Sequence, residues 1–151
     1  MRGMATVRPA QLADAAAAGR VGVAAWQAAY RGLMPDAYLD ALDERPRAER
    51  FQAALAAGGG DGRVLVGRDW GTALVAEDSS RDIVGFVTFG DLRDGSEDVS
   101  PTGEIWALNI LPAAWRRGVA RALLRRALMD LTQAGHAAAA LWVRAGRWGW
   151  F

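Results

Sequence analysis

The chain has no cysteine and no lysine, a single histidine and no long apolar run. Without cysteine there are no disulfides, no thiolate nucleophile and no cysteine-ligated zinc. Without lysine there is no Schiff base and no amine nucleophile. His136 alone cannot assemble a metal cluster, and the order His-Ala-Ala-Ala-Ala puts it at a surface turn entering a strand. No metal is expected. Nothing approaches the roughly 18 consecutive apolar residues of a membrane span. Residues 1–9 carry no apolar signal core, so a cytoplasmic protein without membrane contact is expected. A formal net charge of +1 provides no global field for nucleic acid, and no nucleic-acid partner is expected.

What is present is an ordinary globular composition, 52% apolar and 23% charged over 151 residues. That length suits a single domain, residues 1–151, burying roughly two-thirds of its unfolded surface. All 18 basic residues are arginine. Thr6-Val7-Arg8-Pro9 reads as a first strand. Residues 13–30 read as a helix, with Asp14 in its first turn and an apolar face of Ala17, Val21, Ala24, Ala25 and Ala28. Gly32 and Pro35 end it. A second helical region is expected to break at Pro46 and resume to Ala57, followed by a flexible loop at Gly58-Gly59-Gly60-Asp61-Gly62. The spacing of those glycines does not match a nucleotide fingerprint. Strands are expected at residues 64–66, 72–76, 83–89, 104–111 and 138–143, with a loop over 91–102 and a helix from Ala120 to about Gly135. Early helices, a central meander and a closing strand-helix-strand unit predict an α/β (α+β) fold with a mixed sheet and helices on its faces.

The most informative stretch runs Glu-Ile-Trp-Ala-Leu-Asn-Ile-Leu-Pro from Glu104, then Ala-Ala-Trp-Arg-Arg-Gly-Val-Ala to Ala120. Arg116, Arg117 and Arg121 crowd a helix N-terminus, where the macrodipole disfavours cations by about 0.3–1 kcal/mol each. No Ser, Thr, Asp or Asn stands just before Gly118 to cap the free amides. A bound anion resolves both oddities, because phosphates accept the orphan N–H bonds and neutralise the arginines. Ala120, Leu123, Leu124, Ala127, Leu128 and Leu131 form the core-facing stripe of that helix.

Here the chain resembles the GNAT acyl-CoA N-acyltransferases. Their signature, Gln/Arg-x-x-Gly-x-Gly/Ala after a strand, corresponds to Trp115-Arg116-Arg117-Gly118-Val119-Ala120, with Trp115 replacing Gln or Arg. The resemblance covers residues 4–143. It implies a mostly antiparallel central sheet with helices on both faces, and acetyl-CoA or another acyl-CoA as co-substrate. It implies that Arg116, Arg117, Gly118, Val119 and Ala120 hold the pyrophosphate, and that backbone groups at Leu108 and Ile110 pair with the pantetheine arm. One of those amides could serve the oxyanion. Glu104, 14 residues before Gly118, stands where many family members place the general base. The acceptor implied is an amine of a small molecule or peptide. Trp26, Tyr30, Tyr38 and the bend at residues 32–35 resemble the wall of the acceptor pocket, an aromatic surface able to hold an amine.

After Val143 the resemblance stops. Family members continue with a helix bearing a tyrosine acid and a final strand pair, whereas residues 144–151 read Arg-Ala-Gly-Arg-Trp-Gly-Trp-Phe. That ending would leave the 138–143 strand at an open edge, which predicts a homodimer or an aggregation-prone monomer. The expected function is N-acyl transfer from acyl-CoA to a primary amine. A non-catalytic acyl-CoA-binding module or impaired remnant is the alternative.

Overall fold

The computed structural model describes residues 5–92 and 102–141. Six strands form one sheet: β1 (Thr6–Pro9), β2 (Arg63–Val66), β3 (Asp69–Glu77), β4 (Ile83–Asp91), β5 (Thr102–Ile110) and β6 (Ala138–Leu141). Their order is β1-β3-β4-β5-β6. β1 and β2 share one edge of β3, β1 along residues 74–77 and β2 along residues 69–72. The β1·β3, β2·β3, β3·β4 and β4·β5 pairs are antiparallel; β5·β6 is parallel. The helices are α1 (Ala15–Tyr30), α2 (Asp36–Asp40), α3 (Glu44–Ala57) and α4 (Val119–Gln133).

Successive residues of β3 serve opposite cores. Leu74 and Ala76 meet Val119, Leu123, Ala127 and Leu131 of α4, together with Val87, Phe89, Ile105 and Ile110. Ala73 and Val75 meet Ala18 and Val21 of α1 and Leu55 of α3, together with Ile83 and Phe86. The sheet is thus covered on both faces, which is why its central strands read as apolar runs rather than as alternating ones. Two strand glycines seat α4. A Cβ on Gly85 would stand 2.7 Å from Ile110 and 3.2 Å from Leu123, and one on Gly103 would stand 2.7 Å from Leu131. The helix therefore lies close against β4 and β5 at both ends of its buried stripe.

Several expectations are corrected. Asp14 belongs to a 3-10 turn (Leu12–Asp14) ahead of α1. The buried face of α1 is Ala15, Ala18, Gly19, Val21, Gly22, Val23 and Ala25, and Ala28 is exposed. Pro46 does not break a helix, because it sits in the first turn of α3, where its missing N–H has no intrahelical partner to lose. Asp43 caps that helix, accepting from the Arg45 amide at 3.0 Å. The glycine loop is bonded at both ends: Gly60 N–H donates to Leu55 and Gly62 N–H to Ala10, at 2.9 and 2.8 Å. On α4, Leu128 is exposed and Leu124 is half-buried, so the buried stripe is narrower than its pattern suggests. Residues 93–101 of the expected loop, and residues 142–151 with their aromatic ending, lie outside the described residues. No helix among the described residues is long and apolar enough to cross a membrane.

An ion pair between half-buried Arg8 and buried Asp14 ties β1 to the start of the helical layer. Arg8 places Nη1 and Nη2 on the two Asp14 oxygens at 2.8 and 2.9 Å and reaches Glu77 at 3.4 Å. The Gln11 amide donates to the same Asp14 carboxylate at 2.7 Å. Burial alone would raise the Asp14 pKa, but the Arg8 bonds and the Gln11 amide outweigh it and hold it below its ordinary 3.8. A depressed carboxyl pKa stabilises the fold above the unfolded value, and this contribution is lost as pH falls below it. Denaturant unfolding from about pH 5 to 3 should therefore show a steeper loss of stability in the wild type than in Asp14→Asn. Leu123→Ala, which empties the fully buried contact between α4 and the sheet, should cost about 2–5 kcal/mol in the same assay at neutral pH.

Candidate active site

β5 is asymmetric, and its asymmetry makes the site. Along β4 it is paired from Gly103 to Ile110, whereas β6 covers only residues 102–105 among the described residues. Thr88 opposes Ala107 and Phe89 opposes Ile105, so Trp106 is an extra, bulged residue. The bulge reverses the side-chain phase. Before it, Gly103 and Ile105 face α4; after it, Leu108 and Ile110 do. Trp106 and Ala107 turn to the α1/α3 face, and alternation with Gly103 and Ile105 puts Glu104 on that face too. The Leu111 amide donates to the Val84 carbonyl at 2.8 Å, so alternation sends the backbone groups of Leu108 and Ile110 away from β4. They lie on the edge of β5 that no described residue of β6 covers.

The strand then enters a 3-10 turn (Pro112–Ala114) and the four residues Trp115, Arg116, Arg117 and Gly118 before α4. Arg116 has φ +64° and Gly118 φ +81°. Arg116 shares the left-handed region with Arg81 of the β3–β4 turn, and glycine takes that region freely. Left-handed Gly118 followed by right-handed Val119 is the arrangement that gathers backbone N–H groups into an anion-binding hollow. Gly118 provides no side-chain cap, so the Val119, Ala120 and Arg121 amides begin α4 without intrahelical partners. Arg116, Arg117, Arg121 and Arg125 are exposed and bond to no described residue. Arg116, Arg117 and Arg121, with no acidic partner among the described residues, stand around an uncapped helix N-terminus and fit an anionic ligand.

Glu104 is 4% exposed, in register with Gly90 of β4 and Ala140 of β6. It stands about 10–13 Å along the strand from Leu108. The Trp106 indole lies across Gly71 and Gly90, where a Cβ on either glycine would come within 2.5 Å of the ring. Its Nε1 donates to the Asp91 carbonyl at 3.3 Å. A lone tryptophan in a strand gives no sign of this role. The pairing of two strand glycines opposite it is visible only once the register is known.

The aromatic candidates of the acceptor wall are partly committed elsewhere. The Trp26 and Tyr30 rings are in tilted contact, 4.7 Å between centres, and the Arg47 guanidinium of α3 lies 5.3 Å from the Trp26 ring centre. Tyr38 is exposed on α2. Arg31 bridges to Asp36 and Asp40, closing the bend between α1 and α2. His136 is half-buried, with Nε2 2.8 Å from Asp91 Oδ1 and Nδ1 3.2 Å from the Leu131 carbonyl. A cavity of about 470 Å³, lined by Arg63, Trp70, Phe89, Arg126 and His136, lies at the C-terminal end of α4, away from the left-handed turn. No group of three or more potential metal ligands occurs among the described residues.

The Acetyltransferase (GNAT) family matches residues 26–147. The chain belongs to the GNAT acetyltransferases. It is 31% identical over 140 residues to the uncharacterized N-acetyltransferase YuaI of Bacillus subtilis (strain 168), spanning 93% of this chain and 72% of that protein. Two solved folds are similar. The PaiA N-acetyltransferase of Thermoplasma acidophilum, in complex with coenzyme A, has a TM-score of 0.72 at 16% identity, covering 95% of this chain and 81% of that one. A GNAT family acetyltransferase of Brucella melitensis, in complex with acetyl-CoA, has a TM-score of 0.61 at 22% identity, covering 95% and 78%. Acyl transfer from an acyl-CoA is the reaction of the GNAT family, and the mixed, mostly antiparallel sheet with helices on both faces is its fold.

The left-handed turn carries its own prediction. Thermal unfolding of Gly118→Ala should show a loss of about 1–2 kcal/mol, since the added Cβ meets no neighbour and only the positive φ opposes it. Arg116→Gly, which relieves the same strain, should unfold no earlier than the wild type.

Proposed function

We propose that this chain moves an acetyl or other short acyl group from acyl-CoA to a primary amine of a small molecule or peptide. The observation that carries the reading is the uncapped start of α4, where the left-handed Gly118 is joined by arginines that have no acidic partner among the described residues. Val119, Ala120 and Arg121 donate their free amides to the pyrophosphate, and Arg116 and Arg117 supply charge. Leu108 and Ile110 hold the pantetheine arm as an added strand would, along the edge of β5 that β6 leaves open. This brings the thioester down the strand towards the bulge.

Glu104 accepts the proton of the acceptor amine through water, which the distance from Leu108 requires. The Leu108 amide donates to the carbonyl oxygen as it gains charge. The C–N bond forms, the C–S bond breaks, and the coenzyme A thiolate leaves. A homodimer is the assembly that best suits β6, whose Ala138, Ala139 and Leu141 are exposed on the last described strand.

Calorimetric titration with acetyl-CoA should show binding that Arg116→Ala/Arg117→Ala weakens about tenfold or more. With an accepted amine, Glu104→Gln should lower kcat by about 100-fold while leaving acetyl-CoA affinity within a few-fold. A wild type that binds acetyl-CoA and releases no thiol with any amine would show a binding module instead.

A further inference from the structure

The first position of the signature is a tryptophan, and its side chain makes a specific polar contact. Trp115 Nε1 donates to the Ile110 carbonyl at 2.8 Å. The segment between the two residues is tightly bonded. The Ala114 amide donates to Leu111 at 2.8 Å and the Trp115 amide to Pro112 at 3.1 Å. One end of the indole bond is thus the open edge of β5, and the other is the residue immediately before left-handed Arg116. The ring itself is 43% exposed, so its burial explains little of its placement.

We infer that Trp115 is a positioning residue that fixes the phosphate-binding turn against the open edge of β5, through its indole N–H rather than its bulk. The inference rests on the reading that the turn holds the coenzyme A phosphates and the edge its pantetheine arm. A ligand spanning both must find them in one fixed relation, and misplacement by about 1 Å is enough to lose much of the gain. A left-handed arginine also persists only where its surroundings hold it, and the indole bond holds the residue before it.

Side-chain reach explains why tryptophan can stand here. Nε1 of tryptophan, Nε2 of glutamine and Nε of arginine all lie three bonds beyond Cβ, and each carries an N–H. The position requires a donor at that reach, which the indole meets. One consequence bears on the ligand. The Ile110 carbonyl is already occupied, so the edge offers the pantetheine arm the Leu108 C=O and the Ile110 N–H, with the Leu108 N–H left for the thioester carbonyl.

The test compares wild type, Trp115→Phe, Trp115→Leu and Trp115→Gln by acetyl-CoA titration, melting temperature and steady-state kinetics. Phe keeps the aromatic ring and removes the donor; Gln does the reverse. Trp115→Phe and Trp115→Leu should bind acetyl-CoA about tenfold more weakly and raise KM with kcat within about twofold. Trp115→Gln should stay within about threefold of wild type. If the Phe chain fails to fold, Gln binding well where Leu does not supports the inference equally. Phe binding as tightly as wild type, or Gln binding as weakly as Leu, overturns it. A folded wild type that binds no acetyl-CoA overturns the cofactor reading itself, a result read from the unmutated chain alone.

Discussion

The site depends on one strand having two unlike edges. β5 is paired with β4 along nearly its whole length, yet with β6 only through its first four residues among those described. The β4 side gives rigidity, and the other leaves backbone donors and acceptors to be met by something else. Buried or half-buried peptide groups do not go unpaired without cost, and past residue 105 no described strand meets β5 on that side. The Trp106 bulge makes the two halves compatible, because it turns Glu104 to one face and Leu108 and Ile110 to the other side-chain phase without ending the strand.

α4 must then begin at a fixed place relative to that edge. Its position comes from packing, with Leu123 over Gly85 and Leu131 over Gly103, so a change in either contact would shift the helix N-terminus. The charge at its start comes from Arg116, Arg117 and Arg121, which make no ion pair with any described residue. Arg8 is paired with Asp14 and Glu77, Arg31 with Asp36 and Asp40, and Arg126 with Asp130, while Arg20, Arg45, Arg50, Arg68 and Arg81 make no ion pair with a described residue.

Much of this is legible in the sequence, for identifiable reasons. The 119–133 helix announces itself by period, and the lack of a capping side chain before it is visible as Gly118. The alternating and apolar runs indicate the sheet, and their order indicates helices on two faces. What stays hidden depends on context. Pro46 reads as a breaker until Asp43 is seen to cap the helix three residues earlier. Leu128 fits the apolar period of α4 and yet is exposed, since only the sheet's curvature and width decide how far the buried stripe extends. Trp115 reads as a mere departure from a motif, because reach and donor chemistry are hidden when residues are compared by type. The role of the Trp106 bulge needs the register, which no local pattern shows.

The most direct test of this account is amide chemical-shift mapping of the labelled chain on addition of coenzyme A. The account predicts the largest changes at Gly118, Val119, Ala120 and Arg121, with a second group at Leu108 and Ile110. Changes confined to the cavity beside Arg63, Arg126 and His136, at the other end of α4, would contradict it.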